Sequence, residues 1–445
     1  MAYFVTYFSE LIKKYPTWEK LYEYLITLEN GILEIGDKKN DYVIIKYNKS
    51  DNHSKESYDN VKWFRSVVWD TVRNIPLSVS PPKSESTTCD CKKLDELNIT
   101  GWQDFKEGTM INVFSSKDDE LEVCSRTKFD ATGKFYSKKS FMELFTDALK
   151  NYGMNEYSEV VKLLPKKVDG VDGAHEANYV FDSPPESYFS SLLLQHPDNR
   201  IVEKINRPYL YVIYQGYVCA DGNVLINEDM VNIDDNMKIP YKLFNKDMAE
   251  DDSTNPAKYE KIDDFVTALS KIAGWCWQGI VLKDLNGKRW KIRSPNYNFV
   301  RELRCSNNPR NDVRFMKLRQ KNLVDTYLYY YPEERNLFSS YEKRVIDIVN
   351  KLYKAYVDVY ITHVQKLEFS PVQYKPHLYA LHGLYLTQLK TAELFIRKKD
   401  VMNYVHKLEW QRLLFLMNYH LRPNVNVNDN TTDNVSGTDM NVPNE

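Results

Sequence analysis

The sequence predicts an α+β protein: a sheet-rich body, a helical C-terminal domain and a loose tail. Three observations carry this. Between residues 41 and 293, short apolar runs alternate with turn-forming residues, as strands require. Past residue 310 apolar residues recur at three- and four-residue intervals, the spacing of one helix face. After residue 422 the chain reads PNVNVNDNTTDNVSGTDMNVPNE, too polar to bury a core and expected to be disordered.

The elements follow in order. Leu11, Tyr15, Trp18, Leu21, Tyr22 and Leu25 predict a helix within residues 1–30. DYVIIKY (41–47), VKWFRSVVWD (61–70) and LSVS (77–80) read as strands, the last stopped by Pro81-Pro82, which offer no ladder donor. Residues 84–101 and 153–183 read as loops. Runs 108–114 and 121–126 predict a hairpin around Lys117-Asp118-Asp119. Ser140 is the N-cap candidate of an amphipathic helix reaching Tyr152. Residues 190–202 and 209–218 are strand-rich, and 262–274 is a helix ending at Gly274. Residues 279–284 and 289–293 pair across Asn286-Gly287, a strong turn dipeptide. In the helical part, Val345, Ile348, Val349, Leu352, Tyr356 and Val359 form a stripe that needs an apolar partner. Residues 378–389 and 404–416 can supply it in a bundle.

Composition excludes several classes. The net charge is −2, so there is no global polyanion-binding field. No apolar run reaches the roughly 18–20 residues that span a bilayer, and Met1–Glu23 does not have the makeup of a signal peptide. The six cysteines, including the pair Cys89 and Cys91, show neither zinc spacing nor a disulfide framework. Free thiols in a reducing, intracellular compartment are expected. The 33 Tyr against 15 Gly reflect nucleotide bias as much as chemistry.

Six segments of the body, in order, form one pattern. They are WFRSVVWD with Arg65, SVSPPKS with Lys83, FKEGTMINVF with Glu107 and Gly108, LEVCSRT with Arg126, LLQHPDNRIV with Asn199 and Arg200, and WQGIVLKD…GKRWKIRS with Gln278, Gly279, Lys291 and Arg293. Over residues 40–305 this order resembles the nucleotidyltransferase domain of phage-type RNA ligases, with similar sequences in large DNA viruses. The resemblance implies antiparallel sheets around a nucleotide-sized cleft. It divides the chain into an N-terminal helical segment (1–40), an RNA ligase-like domain (41–305), a helical domain (306–422) and a disordered tail (423–445).

The family attacks ATP with a lysine amine, of ordinary pKa about 10.4, which must lose its proton to react. That lysine stands in a K-x-D-G motif. Here the match departs. Aligning Gly108 with the motif glycine puts Phe105 at the nucleophile position and Glu107 at the aspartate. Leu193 and Gln278 fall where the family has acidic residues, while Lys291-Ile292-Arg293 keeps both charges of the final strand. Phenylalanine cannot form a phosphoramidate, and glutamine brings no charge to a hard cation. The resemblance therefore implies nucleotide or phosphate binding by Arg65, Lys83, Glu107, Gly108, Arg126, Gln278, Lys291 and Arg293, with no dedicated metal site. ATP with Mg²⁺ is the cofactor it suggests, RNA or a nucleotide the partner, and a protein partner of the helical domain stays open.

Three lysines are alternatives for the missing amine. Lys106 is the catalytic candidate if a bulge turns it inward; Lys83 is better suited to phosphate. The literal K-x-D-G at Lys167-Val168-Asp169-Gly170 follows elements that should come after the motif, and reads as a chance turn. His196 reads as structural. The short run Arg397-Lys398-Lys399 reads as a solvated patch, and Tyr329–Tyr331 as core or interface. The function expected is a degenerate RNA-ligase-like pseudoenzyme that binds a nucleotide or nucleic-acid end without self-adenylylation. The alternatives are an active ATP-dependent RNA ligase and a structural or virion-associated scaffold.

Overall fold

The protein is described from a computed structural model, which places residues 2–27, 33–47, 61–84, 91, 94, 96–116, 121–135, 137–166, 185–227, 233–244, 258–284, 287–304 and 310–422. The expectations for Cys89, Lys117–Asp119, Lys167–Gly170, Asn286 and residues 423–445 lie outside these. The chain divides into two compact units, Met1–Pro309 and Arg310–Glu445. It is a mixed helix and antiparallel-sheet structure, and among the described residues no helix is long and apolar enough to cross a membrane.

The first unit begins β1 (Ala2–Val5), α1 (Tyr7–Lys14), α2 (Trp18–Thr27), β2 (Leu33–Lys39), β3 (Tyr42–Tyr47), β4 (Val67–Asp70), β5 (Ile75–Val79) and β6 (Gly101–Asp104). It continues β7 (Thr109–Ser116), β8 (Leu121–Ser125), α3 (Phe141–Lys150), β9 (Ser187–Gln195), β10 (Tyr209–Val218), β11 (Val224–Asn227) and β12 (Tyr241–Leu243). It closes with α4 (Ile262–Ala273), β13 (Gly279–Lys283), β14 (Arg289–Arg293) and α5 (Pro295–Leu303). The expected N-terminal helical segment is corrected here. Residues 2–5 are a strand paired with β11, and the helix breaks at Tyr15, which takes φ −127° before Pro16. Proline pushes its predecessor out of helical geometry. The strand expected over 61–70 is also shorter, starting at Val67.

Three antiparallel sheets result, in the orders β1-β11-β10-β9-β7-β8, β12-β6-β13-β14 and β2-β3-β4-β5. The six-stranded sheet lies in the middle of two cores. Ile111, Val113, Leu192 and Leu194 pack with Leu144, Phe145 and Ala148 of α3, while Phe114, Phe189 and Tyr214 pack with Trp69, Val79 and the small sheet. Helix α3 is fixed by a capping box in which Ser140 accepts from the Glu143 amide and Glu143 accepts from the Ser140 amide. Such a cap contributes about 1 kcal/mol. The β12-β6-β13-β14 sheet has its own core: Ile280, Leu282, Trp290 and Ile292 pack with Ile262, Phe265 and Val266 of α4. Because side chains alternate along a strand, this core dictates the other face of β14, which must carry Arg289, Lys291 and Arg293.

The second unit is helical: α6 (Asn311–Gln320), α7 (Val324–Tyr330), α8 (Arg335–Tyr356), α9 (Lys375–Leu384), α10 (Lys398–His406) and α11 (Trp410–Asn418). The stripe on α8 is buried, and α9, α10 and α11 all pack against that helix. Tyr327 and Tyr331 are buried within this unit while Tyr329 is exposed.

Candidate functional site

The antiparallel pairing of β13 with β14 and of β13 with β6 sets one polar sheet face opposite the end of the six-stranded sheet. Between them lies a cavity of about 280 Å³. Its polar wall carries Arg65, Asp104, Glu107, Gln278, Arg289, Lys291, Arg293 and Arg301; Met110, Leu193 and Ile213 belong to its apolar wall. Ile213 is supplied by a register shift between Val212 and Tyr214 in β10. Two glycines permit the close approach of backbones. A Cβ on Gly108 would meet the Leu194 carbonyl oxygen at 2.5 Å, and one on Gly279 would strike the Ile292 carbonyl.

Arg65, Lys106, Glu107, Gly108, Gln278, Lys291 and Arg293 therefore share one cavity. Lys83 and Arg126 do not line it. Both approach the ring of Tyr47, at 5.4 and 5.0 Å from its centroid. Arg126 also donates to the Arg65 carbonyl at 3.0 Å, so it braces the segment that presents Arg65. Asn199 donates to the Thr109 hydroxyl and Arg200 to the Val202 carbonyl, which makes them loop-forming residues. His196 accepts from the Asp198 amide at 3.0 Å in a structural turn.

Phe105, at the position the resemblance gives to the nucleophile, lies beneath two cations. Lys291 Nζ is 4.9 Å and the Arg293 guanidinium 5.4 Å from its ring centroid. A ring face attracts cations by its quadrupole, so phenylalanine supports these groups where an amine would repel them. Lys106 lines the cavity too, with its amine 3.8 Å from the Asp104 carboxylate.

The two carboxylates at the cavity are engaged elsewhere. Asp104 accepts from Lys242 and from the Trp277 indole, each at 3.2 Å. Glu107 is 6% exposed and accepts from the Val202 and Glu203 amides and, at 2.8 Å, from the Tyr297 hydroxyl. Burial dominates its ionisation and pushes it up to about 7, although its three donors pull the other way. Glu107 thus ties the 202–203 loop and α5 to the segment before β7, and it lines the cavity with its oxygens already engaged. This donor set does not suit a divalent cation, since both acids are spent on other donors and Gln278 is neutral.

Among the described residues Arg65, Arg289, Lys291 and Arg293 have no carboxylate partner. Burial, then the charges of Arg65, Arg289 and Arg293, drive Lys291 well below the ordinary lysine range. Burial likewise lowers Arg65 and Arg293. Arg289 is 9% exposed and its Nε has no hydrogen-bond partner; Gln278 is 8% exposed and its Oε1 has none either. A buried unpaired polar group costs about 1–3 kcal/mol. Beside a cavity, water, an ion or a ligand can complete the bonding of such groups. Sequence reasoning missed Arg289, Tyr297 and Arg301. The signal for Arg289 was available, because it precedes Lys291 by the same two-residue step that separates Lys291 from Arg293.

No family model and no curated protein matches the chain. Among solved structures, an archaeal ATP-dependent RNA ligase aligns over 74% of this chain and 73% of that one, with 11% identity and a TM-score of 0.35. That is below the level that marks a common fold.

Proposed function

We propose that the chain binds a nucleotide or a phosphorylated nucleic-acid end in the cavity between the two sheets. In this reading it is a ligase-like pseudoenzyme that does not store AMP. The observation that carries it is a cluster of basic residues, Arg65, Arg289, Lys291, Arg293 and Arg301, on one cavity wall while the Asp104 and Glu107 carboxylates are held by other donors. Guanidinium groups suit phosphate because their planar donors bind two oxygens at once. The active-ligase alternative rests on Lys106, whose amine lies 3.8 Å from the Asp104 carboxylate. The test is incubation with α-labelled ATP and Mg²⁺ followed by denaturing electrophoresis. The expected result is no labelled protein. A labelled band lost in Lys106→Ala would establish the active enzyme instead.

A further inference from the structure

The crowding of β14 has a chemical consequence for its middle residue. Arginine keeps its proton at any accessible pH, whereas lysine can release one. Four arginines, Arg65, Arg289, Arg293 and Arg301, share a wall with Lys291, and its carboxylates, Asp104 and Glu107, are held by other donors, so Lys291 is the group that relieves the repulsion. Its neutral amine then has a nucleophilic lone pair. It stands beside the Phe105 ring in a pocket where two further polar atoms, Arg289 Nε and Gln278 Oε1, lack hydrogen-bond partners among the described residues. Lysines beside other cations in desolvated pockets are the ones that form imines with carbonyl compounds.

We propose that Lys291 is a reactive amine that captures a phosphate-bearing aldehyde or ketone as an imine, with Arg65, Arg289 and Arg293 holding the phosphate. This rests on the reading of the cavity as a phosphate site. The Lys291 Nζ lone pair attacks the carbonyl carbon, and the carbonyl π electrons move to oxygen, which takes a proton. Nitrogen gives up both of its protons in the course of the reaction, the second proton converts the hydroxyl to water as it leaves, and a C=N bond remains. One water is released per imine, and no oxidant or reductant is consumed. Protonation of the imine restores a cation at this position, now balanced by the ligand's phosphate and still beside Phe105. A phosphate-free carbonyl compound lacks that balancing charge, so the phosphate is part of the recognition.

The experiment treats the full chain with substoichiometric pyridoxal 5′-phosphate, traps imines with borohydride and maps the label by peptide mass spectrometry. Each unit of depression in pKa raises the neutral fraction about tenfold at pH below both values. Lys291 is therefore expected to carry most of the label, against a chain rich in ordinary lysines. Added inorganic phosphate should suppress it, and pyridoxal without phosphate should label it at least about tenfold less, the loss of one charged contact being about 1.4 kcal/mol or more. Lys291→Arg keeps a phosphate-binding group but removes the releasable proton; with its fold checked by thermal melting, it should lose the labelled peptide. Label spread over surface lysines with Lys291 unmarked would overturn the proposal, as would equal labelling by pyridoxal or indifference to phosphate. A parallel ATP titration separates the two readings. ATP binding without Lys291 label removes the imine alone, and absence of both removes the phosphate site with it.

Discussion

Two buried arginines show opposite uses of the same side chain. Arg314 in the helical unit is 1% exposed, and its Nη1 donates to Asn311, to the Tyr327 hydroxyl and to both oxygens of Glu334 at 3.0–3.2 Å. Arg289 in the cavity is 9% exposed and has no carboxylate partner among the described residues. Both leave Nε without a hydrogen bond, so that atom does not distinguish them. The carboxylate does. A buried charge with its counter-ion is a closed structural unit; a buried charge facing a cavity without one is stabilised when an anion arrives.

The largest effect should come from opening the closed unit. Glu334→Gln strands the Arg314 charge and should destabilise the helical unit by about 3–5 kcal/mol. Thermal unfolding of the full chain would report it as an early transition; an unchanged transition would show that Tyr327 and Asn311 suffice.

Glu107 is the intermediate case, a buried acid with three donors and no cation. Its folded pKa of about 7 lies above the ordinary carboxylate value of 4.5, so the folded state holds the extra proton. Its contribution to stability is full below about pH 4.5 and is lost as pH rises through about 7. A shift of this size corresponds to roughly 3 kcal/mol. The melting temperature should fall between pH 5 and 8 more steeply in the parent protein than in Glu107→Gln, which does not titrate. Parallel curves would mean that Glu107 is ionised throughout.

The smallest effect has the opposite sign to the first. Lys291→Met removes a desolvated amine from a crowded cationic wall and keeps an apolar stem beside Phe105, so it should leave stability unchanged or raise it by about 1 kcal/mol. A loss of more than that would place Lys291 in a closed unit like that of Arg314.

How much of this could be read beforehand depends on the range of the interactions. The β13–β14 pairing, the alternation on β14 and the Ser140 cap are local patterns, and the sequence states them directly. The stripe on α8 named its own partners. Pro16 was also visible, yet the helical spacing around it hid the break and the strand before it. What the sequence could not express is where distant groups meet. The Glu107 carboxylate meets amides at Val202 and Glu203, and Lys83 and Arg126 meet Tyr47, which only the folded sheets bring near. Hence Arg65, Lys291 and Arg293 were named from the sequence, while Arg289, Arg301 and the lack of counter-ions were not.

That lack is the centre of the account, and calorimetric titration of the full chain with ATP tests it most directly. The titration would be run at two salt concentrations, with Mg²⁺ and with chelator, on the parent protein and on Arg289→Met. Phosphate contacts at the cavity mouth are screened within about 8 Å at physiological ionic strength. The account predicts weak binding that falls with salt, persists with chelator and is lost in Arg289→Met. Tight binding that disappears on chelation, or no binding to the parent protein at either salt concentration, would contradict it.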